Sequence, residues 1–259
     1  MTHKHCDDLS CMWSDGKQNI LVDSGQQYGF EGLLHSGPLL EKGFYYSVPN
    51  RVYSESVHAH NCVEINGETY SRRILPYGVL PLSGRQLSET CWLLKGEWQR
   101  PEGFRQVRRL VFSPARWLLI LDELEPLPAH TPGETRFSQW FHLDASLDLL
   151  SCEQDPACAI LPDKRRLYCQ SLGHGELSWH KGEFAPRLQG WQATENIYQL
   201  EPAWALGVHQ SGSRASFRTL FSLIGPCEEI KSHDGSCELH FADGAVDCFS
   251  LTERQKDEQ

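Results

Sequence analysis

His3, His5, Asp23 and the His60-Asn61 pair place, within the first quarter of a 259-residue chain, the residue types that can hold one metal ion and one proton-transfer group. In MTHKHCDDLS the two histidines are separated by one residue. On an extended strand both side chains leave the same face, so one imidazole can bind metal while the other faces a substrate. Asp23 closes the run Asn19-Ile20-Leu21-Val22-Asp23, which reads as a short strand ending at a Ser24-Gly25 turn. The interval from His5 to Asp23 leaves room for a strand, a turn at Ser14-Asp15-Gly16 and a return strand, a hairpin that would bring the two side chains together. His60 lies just before an alternating segment, Cys62 to Asn66, that closes on an Asn66-Gly67 turn. Two imidazoles and a carboxylate are a common zinc set and leave a fourth position for water or substrate. Twelve histidines offer many such triples, and on spacing alone ordinary surface or core histidines stand as the alternative.

The elements that must position these residues are strands. Strand-like segments recur at Cys62 to Asn66, Thr90 to Trp98, Val107 to Ser113, Trp117 to Leu121, Phe137 to Leu143, Leu167 to Ser171, Phe217 to Leu223, Cys237 to Phe241 and Ala245 to Phe249. Turn signals such as Asp15-Gly16, Asn66-Gly67 and Asp243-Gly244 separate many of them, and no long helical period competes, which predicts an antiparallel all-β protein. The clearest hairpin joins Ser236 to Phe241 with Ala245 to Ser250 through Asp243-Gly244. Residues 25–49 carry glycines, prolines and three tyrosines and join Asp23 to the His60 region as a long loop; connections of that length usually have a role. Most of the eight tryptophans are expected in the core or in sheet packing, although such rings can also stack on sugars.

Composition sets outer bounds. A hydrophobic content of 40% is enough for one large core. No stretch approaches the ~20 apolar residues of a membrane span, and no signal peptide is visible. The formal net charge of −10 argues against unaided attraction of nucleic acid or another polyanion. The segment from Lys95 to Arg116 is nevertheless basic, with Lys95, Arg100, Arg105, Arg108, Arg109 and Arg116 against Glu97 and Glu102, and Lys164-Arg165-Arg166 forms a second cluster. A solvated sheet face is the expectation there, with contact to an acidic sugar or a partner domain as the alternative. Ten cysteines show no paired spacing and are expected mainly as buried free thiols.

The run HKHCDDLSCMWSDGKQNILVDSGQQYGF, followed by RVYSESVHAHNCVEINGETY, resembles the opening of the C-terminal β-domain of heparinase II/III-like polysaccharide lyases. That family's pattern is His-x-His-x-Asp, a strand into Asp-x-Gly with a nearby Tyr, then Arg-x-Tyr leading to Ala-His-Asn. Here these are His3, His5, Asp7 or Asp8, Asp23, Gly25, Tyr28, Arg51, Tyr53 and Ala59-His60-Asn61. RRLVFSPARWLLILDELEP, TRFSQWFHLD and PAWALGVH also resemble family segments, so the likeness covers nearly the whole chain and weakens from about Thr252.

The resemblance implies a large antiparallel β-sandwich of the super-sandwich type over residues 1–251, with a polar tail at 252–259. It implies β-elimination on a uronic-acid-containing polysaccharide, with His3 as a catalytic or charge-stabilising imidazole and Tyr28 and Tyr53 as further catalytic candidates. Arg51 and Asn61 are the substrate-binding candidates. His5, Asp23 and His60 match the family's metal ligands, with zinc as the expected ion in a structural or site-organising role. His58 repeats the same His-x-His spacing, but the pattern selects His60. Acidic polysaccharide is the implied partner, and the periplasm or cell envelope the implied location. The family's N-terminal α/α toroid is absent from this sequence. The expectation is therefore a chain inactive or weak without its toroid domain or subunit, with a non-catalytic carbohydrate-binding or structural module as the alternative.

Overall fold

The computed structural model describes residues 4–25, 30–73, 82–152, 155–196, 199–233 and 235–251. Elements follow in chain order: β1 (Trp13–Asp15), β2 (Gln18–Leu21), α1 (Pro38–Glu41), α2 (Pro49–Glu55), a 3-10 turn (Val57–Ala59), β3 (Val63–Ile65), β4 (Leu82–Ser88), β5 (Cys91–Gln99), β6 (Phe104–Ser113) and β7 (Trp117–Pro126). The second half contains β8 (Thr135–His142), β9 (Asp148–Ser151), β10 (Ala157–Ile160), β11 (Arg166–Ser171), β12 (Glu176–Lys181), β13 (Trp191–Ala193), β14 (Leu200–Pro202), β15 (Trp204–Gly212), β16 (Ala215–Ser222), β17 (Cys227–His233), β18 (Ser236–Phe241) and β19 (Val246–Ser250). Every strand pair is antiparallel among the described residues, as the alternating segments and turn signals predict.

Three sheets stack. The central one has eight strands in the order β4-β5-β6-β7-β16-β11-β10-β9; a four-stranded sheet, β12-β15-β8-β3, covers one face and the three-stranded β17-β18-β19 covers the other. The run Trp117-Leu118-Leu119-Ile120 in β7 shows why such an apolar stretch is a strand with both faces buried. Leu118 and Ile120 enter the core shared with the four-stranded sheet, while Trp117 and Leu119 enter the core shared with the three-stranded sheet. Trp117 Nε1 also donates to Asp247 on β19 at 2.7 Å, tying the outer sheet to the centre.

Between the central and four-stranded sheets lies a buried polar network. Arg108 on β6 and Asp122 on β7 are cross-strand partners, and the guanidinium meets the carboxylate at 2.6–3.1 Å with both side chains almost wholly buried. Arg100 is buried as well, and Arg105, Arg109 and Arg116 pair with Glu97, Glu123 and Asp247. The expected solvated face therefore holds for Arg105 and Arg116, which are 42% and 38% exposed, and fails for Arg100 and Arg108, which are buried. Glu97 and Glu123 stand diagonal to Arg105 and Arg109 on the neighbouring strands, Glu102 pairs with Arg100 within the β5–β6 turn, and Asp247 reaches Arg116 from β19.

Two further expectations change. Residues 4–12 form no strand: Ser10 N bonds to Asp7 O in a turn and Leu9 takes a positive φ of 66°, so His5 does not sit on an extended strand. The connection from Asp23 to His60 is partly structured, because Pro38 and Pro49 start α1 and α2 at positions where the missing N–H costs nothing. The predicted hairpins at Asp15-Gly16 and Asp243-Gly244 are present, with Gly16 and Gly244 at φ 60° and 86°. All ten cysteines are free thiols.

Candidate functional site

The end of β8 organises the site by holding two other segments beside it. On one side Leu21 bridges Leu143, and Val22 N donates to the His142 carbonyl at 2.9 Å, so the chain leaving β2 delivers Asp23 to this edge. On the other side β3 pairs with β8, and Trp140 N donates to the Cys62 carbonyl at 2.8 Å, which delivers His60 and Asn61 to the same edge. Ser24 N to Ala59 O, 3.4 Å, joins the two deliveries. His5 arrives from a third direction, anchored by Cys6 N to the Glu55 carbonyl of α2 at 3.1 Å.

Asn61 is the knot of this arrangement. Its side-chain nitrogen donates to the carbonyls of Cys11 and Val22 at 2.7 and 2.9 Å, and its Oδ1 accepts from His142 N at 2.8 Å. The side chain is fully buried. Arg108 adds a second tie, donating through Nη1 to the carbonyls of Leu9 and Asn61.

His60 is wholly buried, and its Nδ1 lies 2.9 Å from Asp23 Oδ2; the other Asp23 oxygen accepts from Gly25 N at 3.0 Å. The His5 ring lies 5.4 Å from the His60 ring, centroid to centroid. Burial pushes the Asp23 carboxyl up, but the His60 hydrogen bond and charge outweigh it and hold the group below its usual range. Burial likewise opposes a charged His60, and Asp23 reverses this, leaving the imidazole above its usual value. His5 moves the other way, down to about 4, first through burial and then through His60. The result is a neutral imidazole, an ionised carboxylate and a second imidazole whose Nε2 is buried with no hydrogen-bond partner. His5 and Asp23 line a cleft of about 440 Å³ with Asp7, Ser10, Cys11, Met12 and Gly25.

Residues 1–220 match the heparinase II/III-like C-terminal family. The chain belongs to that family. Among solved structures it is similar to heparan sulfate lyase HepC from Pedobacter heparinus, with a TM-score of 0.70 and 11% identity over 97% of this chain and 38% of that one. A heparinase III structure aligns with a TM-score of 0.64 and 13% identity, covering 95% of this chain and 36% of that chain. At such identities these likenesses show the fold. The chain spans little more than a third of the length of these structures. No curated protein matches it in sequence.

Within this heparinase II/III-like domain, His3 and Tyr28 lie outside the described residues. His5, Asp23 and His60, far apart in sequence, come together. Their donors fit a zinc ion in kind: one neutral imidazole, one ionised carboxylate and one buried ring nitrogen in need of a partner. Among the described residues no three ligating side chains form a closed cluster, and Asp23 contacts His60 directly.

The remaining predicted residues are placed as supports of this edge. Tyr53 is buried, with its hydroxyl donating to the Trp191 carbonyl at 3.2 Å and near Ser24 Oγ at 3.4 Å; burial raises its pKa. Arg51 sits on α2, donates to Glu55 at 3.1 Å and lies over the Tyr46 ring at 4.5 Å. His58 contacts Glu64 at 3.6 Å, and burial followed by the nearby Arg187 charge lowers its pKa well below the usual value. His142 was not singled out from sequence, yet it is buried beside Asn61 with Nε2 unpartnered, and burial and then His60 bring its pKa to about 4. Its signal was the FHLD end of a predicted strand, where a histidine meets the site edge.

Proposed function

We propose that this domain forms one wall of a polysaccharide lyase that cleaves a uronic-acid-containing polysaccharide by β-elimination, the other wall coming from an N-terminal α/α toroid domain or subunit. The observation that carries this reading is the convergence of three segments of a heparinase II/III-like domain, with His5 and Asp23 lining one cleft and the wholly buried His60 bonded to Asp23 and beside the His5 ring. Elimination requires a base for the proton beside the sugar carboxylate, an acid for the departing glycosidic oxygen, and neutralisation of that carboxylate.

His3, two residues from His5, is the imidazole proposed for the substrate side, with Tyr28 as the phenolic partner. Tyr53, Arg51 and Asn61 are committed to buried hydrogen bonds, which favours their acting by holding the cleft's shape. His5, Asp23 and His60 would hold zinc. When bound, the ion supplies positive charge that fixes the three segments relative to one another. The Asp23–His60 hydrogen bond pre-orients the imidazole, so that its unpartnered Nε2 is the nitrogen left for a ligand. The compartment proposed with this chemistry is the periplasm or cell envelope.

The test is release of unsaturated, ultraviolet-absorbing oligosaccharides, starting with heparan sulfate because two of the similar structures are heparan sulfate lyases. Little product is expected from the chain alone, and product is expected when a toroid partner is supplied, with loss in His3→Ala. Strong product from the chain alone would overturn the need for a second wall. Polysaccharide binding without product in every combination, retained in His3→Ala, would replace the lyase reading with a carbohydrate-binding module.

A further inference from the structure

The face of the four-stranded sheet turned away from the core carries a second cleft, of about 460 Å³, which shares no lining residue with the His5 cleft. Strand alternation explains it: Leu177 and Trp179 of β12 and Leu206 and Val208 of β15 pack toward the core, so Ser178, His180 and His209 point outward. Glu183, just past β12, places Oε2 2.8 Å from His180 Nδ1. A carboxylate can only accept here, so Nδ1 carries the proton and Nε2 is left as the acceptor. His180 Nε2 lies 3.0 Å from Ser178 Oγ, so the serine hydroxyl donates to it. A second imidazole, His209, approaches the same Oγ through Nε2 at 2.7 Å, while its Nδ1 faces Ser138 Oγ at 2.9 Å. With the Ser178 proton on His180, His209 Nε2–H donates to Ser178, and Ser138 donates to His209 Nδ1.

Gly207 supplies an independent observation. It is the cross-strand partner of Ser178, and a Cβ there would stand 2.7 Å from Ser178 Oγ, 2.7 Å from the Trp140 ring and 2.8 Å from His209 Nε2. The missing side chain is what leaves room at the hydroxyl. One wall is held by the buried Glu64, which accepts from Arg187 at 2.5 and 2.8 Å and from Trp140 Nε1 at 3.0 Å.

We propose that Ser178, His180 and Glu183 form a second catalytic site, a hydrolase triad for short-chain carboxylic esters of polar alcohols. The order of contacts is nucleophile, base and orienting carboxylate, which is how an otherwise weak serine nucleophile is activated. The charged groups of Arg136, Glu176 and Arg187 in the lining suit a polar alcohol, and the Trp140 and Pro186 surfaces suit a small acyl group.

In the first step Ser178 Oγ bonds to the ester carbonyl carbon and its proton passes to His180 Nε2. The carbon–alkoxy bond then breaks, and that proton leaves with the alcohol. Water next attacks the acyl-serine, giving one proton to His180, which returns it to Ser178 Oγ as the acyl–serine bond breaks and the acid is released. Glu183 stays ionised and holds the imidazole tautomer. His209 Nε2–H donates to Ser178 Oγ and holds the hydroxyl with its proton turned toward His180.

The test uses the full chain with p-nitrophenyl acetate as substrate and a fluorophosphonate as covalent probe. Expected are probe attachment at Ser178 and loss of hydrolysis by about a hundredfold in Ser178→Ala and His180→Ala, the scale of general-base assistance. Gly207→Ala should block labelling, and Glu183→Gln, at a half-exposed position, should fold normally and lower kcat with KM little changed. Absence of label at Ser178, or wild-type hydrolysis in Ser178→Ala, overturns the proposal. Should Ser178→Ala fail to fold, unchanged kcat in Glu183→Gln overturns it equally.

Discussion

Asp122→Ala should destabilise the domain more than any single exposed substitution. The carboxylate is wholly buried and accepts from Arg108 on β6, from Gln106 Nε2 at 3.0 Å and from Gln139 Nε2 on β8 at 2.7 Å. Gln139 Oε1 in turn accepts from Thr219 on β16 at 2.6 Å, and Gln106 Oε1 from Arg100 at 2.7 Å. The network therefore joins the central sheet to the four-stranded sheet. Removing the carboxylate leaves the Arg108 charge buried without its counter-ion, a loss of roughly 3–5 kcal/mol. Two glutamine amides also lose an acceptor, at about 1 kcal/mol each when satisfied bonds are broken. Because these groups act together the losses do not sum, and about 4 kcal/mol is expected. At about 2–4 °C per kcal/mol for a chain of this size, the melting temperature should fall by roughly 8–16 °C. Urea unfolding of wild type and variant measures the difference directly. Arg108→Met/Asp122→Leu, which removes both charges, should recover part of it. A loss below about 1 kcal/mol in Asp122→Ala would refute the claim that the pair is desolvated and coupled.

Asn61→Ala should cost about 3 kcal/mol, since it strands the Cys11 and Val22 carbonyls and the His142 N–H in a buried region; chemical denaturation checks this, and a loss within 0.5 kcal/mol, as an estimate for an uncoupled surface position, would contradict it. Asp247→Ala should loosen the three-stranded sheet by breaking its bonds to Arg116 and Trp117, seen as faster amide exchange in β17 to β19 with the central sheet unaffected. His209 gives a pH prediction: burial first, then Arg136, His180 and Arg187, lower its pKa to about 4. With the folded value below the unfolded ~6.5, its neutral form contributes fully above that pH. The contribution declines as pH falls toward 4 and is gone below it. The upper limit is about 3 kcal/mol, so His209→Gln should show a flatter loss of stability than wild type between pH 6.5 and 4 by urea midpoint; parallel profiles would contradict it.

Much of the architecture is written in local pattern. Trp117 to Ile120 is apolar without alternation because both faces are covered, and Asp243-Gly244 marks a hairpin through its turn chemistry. Asp23, His5 and His60 were recognisable by type, but their meeting depends on β2 and β3 flanking the end of β8, a relation between distant segments. The Arg108–Asp122 pair was within reach. Both residues stand five positions from the ends of the β6–β7 turn, Ser113 and Trp117, so the hairpin register opposes them. Counting charges along one segment instead suggested a solvated face. The Asn61 knot and the Ser178 cleft left no local trace, since hydrogen bonds across non-adjacent strands and the space over Gly207 exist only after the sheets assemble.

The central claim is that His5, Asp23 and His60 act as one ligand set. Elemental analysis of protein purified without chelator tests it most directly, with folding of each variant checked by circular dichroism. The account predicts near-stoichiometric zinc in the wild type and its loss in folded His5→Ala and Asp23→Ala. Metal content unchanged by those substitutions, or no zinc in a wild type given the ion in excess, would contradict it.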